Sequence, residues 1–305
     1  MNDPRVVAIV LNYNGREVTL PAIASLARMD YSELEILHVD NGSSDGSSAA
    51  VAGAFPDVVQ VRIEENRGVV HGINTGMETA LRRGADYLLI LNNDIEAERS
   101  MLREMVRIAE SDPAIGCVGP KIYYYSDPRR LWSAGGVIRF RESVTRERGM
   151  GEIDRGQYDR DEEVPYVNGC AMLARRSVVE EVGLWDPLFH LAVDDADWCM
   201  RLKERNYRCF YAHRAVLWHK VAYTVGGYQA SRTYYNGRSA ALFVRRYGGF
   251  REWCTFLLFT AAALPLAFAR ELPRGNHGAV VAKLKGVVAG LTAPLAPPPR
   301  VGDVR

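Results

Sequence analysis

Two acidic groups far apart in the chain have side chains suited to metal binding and proton transfer. The first is Asn92-Asn93-Asp94, which ends an apolar run predicted to be a buried strand. The second is Asp194-Asp195-Ala196-Asp197, which opens the helical pattern Trp198–Leu202. A carboxylate at the carboxyl end of a parallel strand lies where open α/β sheets bind ligands. Two such groups, brought together, could hold a metal and remove a proton, which indicates chemistry on a phosphorylated or nucleotide-linked substrate.

The first hundred residues alternate between short apolar runs and helical patterns such as Val18-Leu20-Ile23-Leu26 and Ile73-Met77-Leu81. Such alternation implies right-handed crossovers and a mainly parallel sheet. The apolar runs are continuous, as expected of strands buried on both faces. The predicted fold class is therefore α/β, with helices flanking the sheet and a helical tail at the C-terminus. The predicted strands are Val6–Leu11, Leu34–Val39, Val58–Ile63 and Tyr87–Leu91.

Polar and small residues follow each of these strands, so the four loops should share one rim of the sheet. Asp40 could accept a hydrogen bond from a base or a ribose, and Gly42 would let a nucleotide approach the backbone. Any one loop alone is better explained as a turn with a helix cap. The same bias in four loops favours a binding site. The loops are Asn12–Gly15, Asp40–Ser47, Glu65–Gly68 and Asn92–Asp94.

Composition and missing motifs exclude several classes of function. The chain has 305 residues with 38 basic and 37 acidic side chains, so no overall field favours nucleic acid as a partner. The absence of a Gly-x-Gly-x-x-Gly and of a Walker-type loop argues against a dehydrogenase and an ATPase or GTPase. Five dispersed cysteines without a Cys-x-x-Cys pair indicate reduced thiols in a cytosolic compartment, not a disulfide framework or a zinc site. The N-terminal residues do not have the pattern of a signal peptide.

Taken together and in this order, the motifs resemble those of the inverting, nucleotide-sugar-dependent glycosyltransferases of family 2, which have the GT-A fold. The resemblance runs from about Val6 to Arg238 and extends to bacterial rhamnosyltransferase-like members that build surface polysaccharides. It implies a catalytic domain over residues 1–240, a nucleoside-diphosphate sugar donor, and a saccharide or polyprenyl-linked acceptor. Each motif is weak alone, but the ordered set is specific. The motifs are Val10–Asn14, Val39–Gly46, Asn66–Gly68, Gly72–Gly76, Leu91–Asp94, Asn168–Met172, Val182–Asp186 and Asp194–Leu202.

The resemblance also assigns residues to the donor. It implies that Asp40 contacts the nucleobase and that Asn66 and Asn74 line the nucleotide pocket. Asn12 and Asn93, on the same rim, are expected to contribute to nucleotide-sugar binding, and Arg238 could neutralise a phosphate. This set of binding residues is therefore expected to surround the nucleoside diphosphate: Asn12, Asp40, Asn66, Asn74, Asn93 and Arg238.

Asp94 and His219 are the expected metal ligands by the same resemblance. Asp94 matches the surviving carboxylate of the family's Asp-x-Asp element, and Asn92 replaces the first. Because one carboxylate is lost, the diphosphate of the donor has to help recruit Mg²⁺ or Mn²⁺. A strand-end helix cap is the structural alternative for Asp94, and a lone histidine such as His219 is more often structural than a ligand.

Three carboxylates compete for the role of general base, which takes the proton of the acceptor hydroxyl during inversion. The resemblance assigns this role to Asp195, with Asp194 as the alternative. Asp197 has another use, because Arg201 follows four residues later and predicts a surface pair on one helical face. Helix caps and surface pairs explain all three acids without catalysis, although three acids in four residues repel one another.

Two rival functions share a similar α/β core. A sugar-nucleotidylyltransferase would have a glycine-rich loop with basic residues after the first strand, where this chain has Asn12-Tyr13-Asn14-Gly15-Arg16. A non-catalytic nucleotide-sugar-binding protein is supported by Asn92 alone. Two further segments allow alternatives. The small residues near Gly169 indicate either acceptor binding or close backbone packing. Arg139–Glu163 is predicted to be a mobile loop, with a lid over the donor as its functional interpretation.

Residues 241–305 are predicted to form a helical tail. Trp253–Ala269 carries no charge over 17 residues, just short of the roughly 20 that span a membrane. Basic residues precede it at positions 245, 246 and 251, and Ala279–Leu295 has an amphipathic pattern. The expectation is a peripheral protein on the cytoplasmic face of the inner membrane, presenting its site to a lipid-linked acceptor. A buried core helix has equal support, and Pro294–Arg305 is predicted to be disordered.

Overall fold

The protein is described by a computed structural model that covers residues 3–221 and 230–304. Its described strands form one ten-stranded sheet and one short two-stranded sheet. The strands are β1 (Val6–Asn12), β2 (Leu34–Asn41), β3 (Val59–Ile63), β4 (Tyr87–Asn92), β5 (Ile95–Ala97), β6 (Ile115–Tyr124), β7 (Asp127–Ser133), β8 (Gly136–Ile138), β9 (Thr145–Glu147), β10 (Glu162–Val164), β11 (Ala171–Arg175) and β12 (Arg208–His219). The helices are α1 (Arg16–Leu26), α2 (Ser47–Ala54), α3 (Val69–Arg82), α4 (Met101–Ser111), α5 (Arg176–Val182), α6 (Asp194–Glu204), α7 (Ala230–Tyr247), α8 (Phe250–Glu271) and α9 (His277–Thr292).

The first half of the chain forms a parallel block in the order β3-β2-β1-β4. The four predicted strands are confirmed to within two residues at each end. Because the strands are parallel, their carboxyl ends share one rim, where Asn12 is in register with Asp40. β3 departs from the prediction of strands buried on both faces: as the edge strand it has alternating exposed and partly buried residues.

The second half adds strands that carry the remaining site residues to the same rim. β11 runs antiparallel between β4 and β6, and β12 pairs in parallel with β6. The end of β12 also pairs with β5, which places His219 opposite Ile95 and therefore beside Asp94. The sheet thus joins two residues that are 125 positions apart in the chain.

The charged segment between residues 139 and 163 is folded, in contrast to the expected mobile loop. β9 pairs with β8, and β10 pairs with β12. Lys121 is buried and forms ion pairs with Asp154 and Asp159, and Arg148 pairs with Glu162. The segment therefore packs on the sheet because many of its charges pair with one another and with a buried lysine.

Helix α7 crosses residue 240, the predicted domain boundary, and packs in the main core through Leu242, Phe243 and Val244. α9 lies against α7 at a close crossing of small residues. A Cβ atom on Gly286 would lie 2.0 Å from the carbonyl oxygen of Tyr234, and one on Gly290 would lie 2.3 Å from that of Arg238. Only glycine permits such close backbone contact, so the tail is built onto the catalytic fold through this helix pair.

The last residues are bound to the domain, so the expectation of a disordered end is wrong for residues 294–304. The buried carboxylate of Glu78 on α3 accepts the backbone N–H groups of Gly302 and Val304 at 2.8 and 3.2 Å. The carbonyl of Pro299 accepts the N–H of Leu184 at 3.0 Å. These hydrogen bonds hold a segment whose composition alone indicates disorder. Arg305 is outside the described residues.

Helix α8 is exposed, so the alternative of a buried core helix is wrong. Leu258 and Leu266 are 68% and 72% exposed. Among the described residues, Phe250–Arg274 is the one stretch that is long and apolar enough to cross a membrane by length and composition. Only 11% of an apolar 18-residue window within that stretch is buried in the protein.

Candidate active site

The site lies at the point where the strand order reverses between β1 and β4, which is where open α/β sheets bind ligands. The fully buried Asn12 links the loops there: its amide donates to Ser47 and Ser43 at 2.8 and 3.2 Å. Its oxygen accepts Asn93 Nδ2 at 2.8 Å and the Thr19 hydroxyl at 2.9 Å. The side chains of Asn12 and Asn93 thus hold the rim loops together, and their contribution to nucleotide-sugar binding stays a prediction.

Asp40 and Asn66 stabilise two neighbouring loops on this rim. The buried carboxylate of Asp40 accepts the N–H of Ser43 at 3.0 Å and the hydroxyl of Ser48. Asn66 is exposed, and its oxygen accepts the amide of Asn41 at 3.1 Å. Asp40 thus holds its loop as a buried residue, whereas Asn66 is exposed to solvent.

Asn74 does not line a nucleotide pocket. It is 2% exposed, and its side chain forms a two-way bridge to the backbone of Trp185. Asn74 Nδ2 donates to the Trp185 carbonyl at 2.8 Å, and Trp185 N–H donates to Asn74 Oδ1 at 2.9 Å. Both polar atoms of the amide are used, so this residue fixes the segment around Trp185 to α3.

Asp94 and His219 lie together, as the resemblance implies for a metal site. Asp94 Oδ1 is 3.0 Å from His219 Nε2, and both side chains are 7% exposed. His219 Nδ1 is buried, and within residues 3–221 and 230–304 it has no hydrogen-bond partner. Neighbouring ligands of an octahedral ion with bonds of 2.0–2.1 Å lie about 3.0 Å apart, so this pair fits one edge of such a coordination sphere. Among the described residues, no third carboxylate, thiol or imidazole joins the pair, which leaves positions for donor phosphates.

Asp194 and Asp195 open α6 in different surroundings. Asp194 is buried, and burial together with the charge of Asp195 raises its pKa to about 8. Asp195 is partly exposed, and its Oδ2 accepts the N–H of Gly169 at 2.9 Å. Burial raises the pKa of Asp195 to about 6, against the lowering effect of that hydrogen bond. Asp195 is therefore the more accessible member of the pair, and it alone has a hydrogen bond from the Gly169 N–H that stabilises its ionised form.

Asp197 pairs with Arg201 as expected, but the pair is buried and not on the surface. Asp197 is 0% exposed, and its Oδ2 accepts Arg201 Nε at 3.0 Å. Its Oδ1 accepts Arg246 Nη1 at 2.7 Å and the Tyr247 hydroxyl at 2.8 Å. The helical spacing predicts the first contact, whereas the two from α7 depend on tertiary packing.

Glu147, a residue missed by the sequence analysis, is a further carboxylate close to Asp195. It is 6% exposed and accepts hydrogen bonds from the Ser133 hydroxyl, Tyr166 OH at 2.7 Å and Asn168 Nδ2 at 2.9 Å. Burial raises its pKa to about 7, with a smaller contribution from the charge of Asp195. In sequence it is one of many acids in a charged segment, so nothing distinguishes it there.

Cys170 shows that these carboxylates converge. Its carbonyl accepts the N–H of Asn92, two residues before Asp94, at 3.0 Å. Burial raises the pKa of its thiol, and the charges of Asp94, Glu147 and Asp195 add to the rise. The start of β11 therefore lies among the predicted metal ligand, the predicted base and the buried glutamate.

Gly169, beside Cys170, is a glycine for packing reasons. A Cβ atom there would lie 2.6 Å from the Trp185 ring and 3.4 Å from Asp195 Cβ. Of the two interpretations left open by the sequence, close packing accounts for this residue.

Arg238, which is predicted to neutralise a phosphate, is partly exposed and contacts the turn before α6. Its Nη1 donates to the carbonyl of Leu188 at 2.5 Å. It lines an open cleft together with Asp186 and Pro297–Arg300 of the C-terminal segment. This hydrogen bond joins α7 to the turn before α6, and the phosphate role of Arg238 stays a prediction.

Three of the dispersed cysteines meet in the core. The Sγ atoms of Cys117, Cys199 and Cys209 lie within 4.8 Å of one another, and all three residues are at most 1% exposed. Structural zinc sites have four ligands, and no fourth is found among the described residues. Close packing of three buried cysteine side chains accounts for this contact.

Comparison with known proteins identifies the family. Residues 7–183 match the sequence profile described as Glycosyl transferase family 2. The chain belongs to this family. The matched range includes Asp94 and Glu147 and ends before Asp195. Membership of glycosyl transferase family 2 thus rests on the parallel block and the strands that follow it.

Curated relatives in glycosyl transferase family 2 include poly-beta-1,6-N-acetyl-D-glucosamine synthases. The Staphylococcus aureus (strain COL) enzyme is 27% identical over 219 residues, which are 70% of this chain and 50% of the relative. The Staphylococcus epidermidis enzyme is 24% identical over 218 residues, with the same coverage. The chain therefore spans about half the length of the curated relatives it matches.

Solved structures confirm the GT-A fold. A mannosyltransferase from Pyrobaculum calidifontis in complex with GDP-Man and Mn²⁺ has a TM-score of 0.58 at 20% identity, covering 95% of this chain and 87% of its own. GalNAc-T7 with UDP, GalNAc and Mn²⁺ has a TM-score of 0.63 at 13% identity, covering 78% of this chain and 48% of its own. The predicted fold class is thus correct, including the C-terminal helices.

Proposed function

We propose that this protein is an inverting glycosyltransferase that moves a sugar from a nucleoside-diphosphate sugar to a saccharide or polyprenyl-linked saccharide, in polysaccharide synthesis. The observation that carries the proposal is the meeting of the Asp94–His219 pair and Asp195 at the start of β11, where Cys170 bonds to Asn92 and Gly169 bonds to Asp195. Family membership and the names of the relatives support the sugar chemistry. The rhamnosyltransferase-like character remains a prediction.

Asp195 is the proposed base. The acceptor hydroxyl oxygen attacks C1 of the donor sugar, its proton passes to the Asp195 carboxylate, and the C1–oxygen bond to the diphosphate breaks with its electron pair leaving on the diphosphate. The N–H of Gly169 orients Oδ2 of the base. Asp194 is proposed to stay protonated near neutral pH, since its pKa is raised to about 8. It therefore adds no second negative charge that would raise the pKa of Asp195 further.

Asp94 and His219 are the proposed protein ligands of a divalent cation. The bound ion would supply positive charge to the diphosphate as negative charge develops on it. Two protein ligands leave most of the coordination sphere to the phosphates and water, as is common for Mg²⁺. The Mn²⁺ in the two related structures supports this assignment.

The test measures nucleoside diphosphate released from GDP-mannose and from UDP-N-acetylglucosamine, with Mn²⁺ and with oligosaccharide acceptors. Asp195→Asn should lower transfer by about 10²- to 10⁴-fold, the usual contribution of a general base. Donor affinity should change little, because the base acts on the acceptor. Asp194→Asn is the matched control and should retain most activity, since it replaces a carboxyl that is already neutral.

Three outcomes oppose the proposal. Loss of transfer in Asp194→Asn with retention in Asp195→Asn would move the base by one residue. Release of pyrophosphate in place of nucleoside diphosphate would favour a sugar-nucleotidylyltransferase. Donor binding without any turnover, with every acceptor tried, would favour a non-catalytic nucleotide-sugar-binding protein.

The proposed location is the cytoplasmic face of the inner membrane, with α8 lying in the interface. Its exposed side bears no charge between Leu257 and Ala269, and Arg251 is exposed at its start. The flank is less basic than the sequence indicates: Arg246 is held by Asp197, and Arg245 donates to the carbonyls of Gly290 and Ala293. An apolar helix face with a basic end is suited to an anionic bilayer surface.

Flotation with vesicles of phosphatidylglycerol and phosphatidylethanolamine tests this location. The double variant Leu258→Asp/Leu266→Asp should lose vesicle binding, because it places two charges on the exposed face. Met150→Asp, which changes an apolar residue that is 41% exposed outside α8, is the control and should still bind. Equal flotation of both variants would contradict an interfacial role for α8.

A further inference from the structure

A buried network of charges connects α6, which begins with the proposed base, to α7. Asp197 has no exposed surface, yet its carboxylate accepts three side-chain donors, from Arg201, Arg246 and Tyr247. Two of these donors come from the last turn of α7. The contacts lie only two residues after Asp195 in the chain.

The same network holds the turn before α6. Arg246 Nη2 is 2.8 Å from Asp186 Oδ2, so one guanidinium bridges Asp186 and Asp197. Arg201 donates to the carbonyls of Val182 and Leu184 at 2.9 and 2.8 Å. Two arginines and two aspartates balance in charge. Removal of one partner from such a buried set leaves an uncompensated charge and destabilises the fold.

From this turn, contacts continue to the carboxylate of the base. Trp185 lies between Leu184 and Asp186, and Asn74 fixes its backbone from α3. Its ring packs against Gly169 so closely that a Cβ there would lie 2.6 Å away. Gly169 in turn donates its N–H to Asp195 Oδ2. The network therefore holds α6 on one side of the base and the Gly169 N–H on the other.

We propose that Arg246 and Tyr247 of α7 are positioning residues for glycosyl transfer, which fix the first turn of α6 and the Gly169 loop so that the Asp195 carboxylate keeps its orientation. This inference rests on the proposed function of Asp195. Neither residue contacts Asp195 in the described hydrogen bonds, so both act through Asp197, Asp186 and the Trp185 segment.

The experiment uses Tyr247→Phe in the full chain, because loss of Arg246 could unfold the protein. Tyr247→Phe removes one hydroxyl and leaves both ion pairs of Asp197. The matched control is Tyr87→Phe: Tyr87 also donates to a carboxylate, that of Glu110, but it lies at the start of β4, at the opposite end of the strand from Asp94. Both variants lose a tyrosine–carboxylate hydrogen bond, and only one lies next to the base.

The readouts are kcat at saturating donor and acceptor, and the Kd of GDP or UDP with Mn²⁺. Tyr247→Phe should lower kcat by about tenfold, since small misplacements of a catalytic group are costly, while the nucleotide Kd stays within about twofold. Tyr87→Phe should keep kcat within about twofold of the wild type. Equal kcat in the two variants, with normal wild-type transfer, would overturn this inference alone. Absence of transfer by the wild type would overturn both it and the proposed function.

Discussion

Ionisation of Glu147 should lower the stability of this protein as the pH rises, and Glu147→Gln should abolish this part of the pH dependence. The pKa of Glu147 is near 4.5 in the unfolded chain and is raised to about 7 in the fold by burial. Below pH 4.5 both states hold the proton, so its contribution to stability is fully present. Between pH 4.5 and about 7 the unfolded chain releases the proton first, and the free energy of unfolding falls as the pH rises. At 1.36 kcal/mol for each pH unit, the loss over this range is about 3 kcal/mol.

Glutamine cannot ionise and can keep the same contacts. Its oxygen can accept from Tyr166 and Asn168, and its amide can donate to the Ser133 oxygen. The difference in unfolding free energy, Glu147→Gln minus wild type, should therefore rise by about 3 kcal/mol between pH 4.5 and pH 8. Urea denaturation at several pH values measures it, and subtraction removes the contribution of the other titrating groups. A difference that stays constant with pH would refute the reasoning.

A second variant changes the same pKa in a known direction. The hydroxyl of Ser133 donates to the Glu147 carboxylate and lowers its pKa. Ser133→Ala should therefore raise the pKa of Glu147 further, so that the loss of stability continues to a higher pH than in the wild type. An unchanged pH range would show that this hydrogen bond does not stabilise the ionised form.

Three further predictions concern the base, the metal pair and the tail. Transfer rate should rise with pH through about 6, because Asp195 must lose its proton to act, and a pH–rate profile that is flat from pH 5 to 8 would contradict this. Binding of GDP or UDP, followed by calorimetry, should weaken in EDTA and in Asp94→Asn to a similar extent; equal affinity with and without Mn²⁺ would oppose the metal role. Gly286→Val should lower the melting temperature markedly, because its Cβ would lie 2.0 Å from the Tyr234 carbonyl oxygen. Overpacking of this kind costs typically about 1–3 kcal/mol or more. Gly278→Val is the control, since a Cβ on Gly278 would have no described atom within 4 Å beyond its own helix backbone.

The sequence alone determined the parallel half of the sheet and the rim on which the site lies. Continuous apolar runs ended by polar loops define β1, β2 and β4, because strands buried on both faces need apolar side chains on both. Parallel pairing then requires the loops after these strands to share one edge. The meeting of Asp94 with His219 was implied only by the family resemblance, and the pairing of β12 with β5 explains it.

Tertiary structure decided how individual polar side chains are used. Asn12 and Asn74 have the residue types of a binding site, but both are buried and hydrogen-bonded inside the protein, because buried polar groups must be paired. Asp197 has an i,i+4 partner that the sequence reveals, but its burial depends on α7, fifty residues further along the chain. Local spacing carries no information on such long-range partners.

The same limit applies to Glu147 and to the C-terminal segment. A glutamate among many charged residues gives no sign that Ser133, Tyr166 and Asn168 will surround it. A proline-rich end predicts disorder, since the sequence does not show that Glu78 will accept its backbone N–H groups. In both cases distant parts of the chain supply the hydrogen-bond partners, and they do so only once the fold has formed. Burial by the same parts raises the pKa of Glu147.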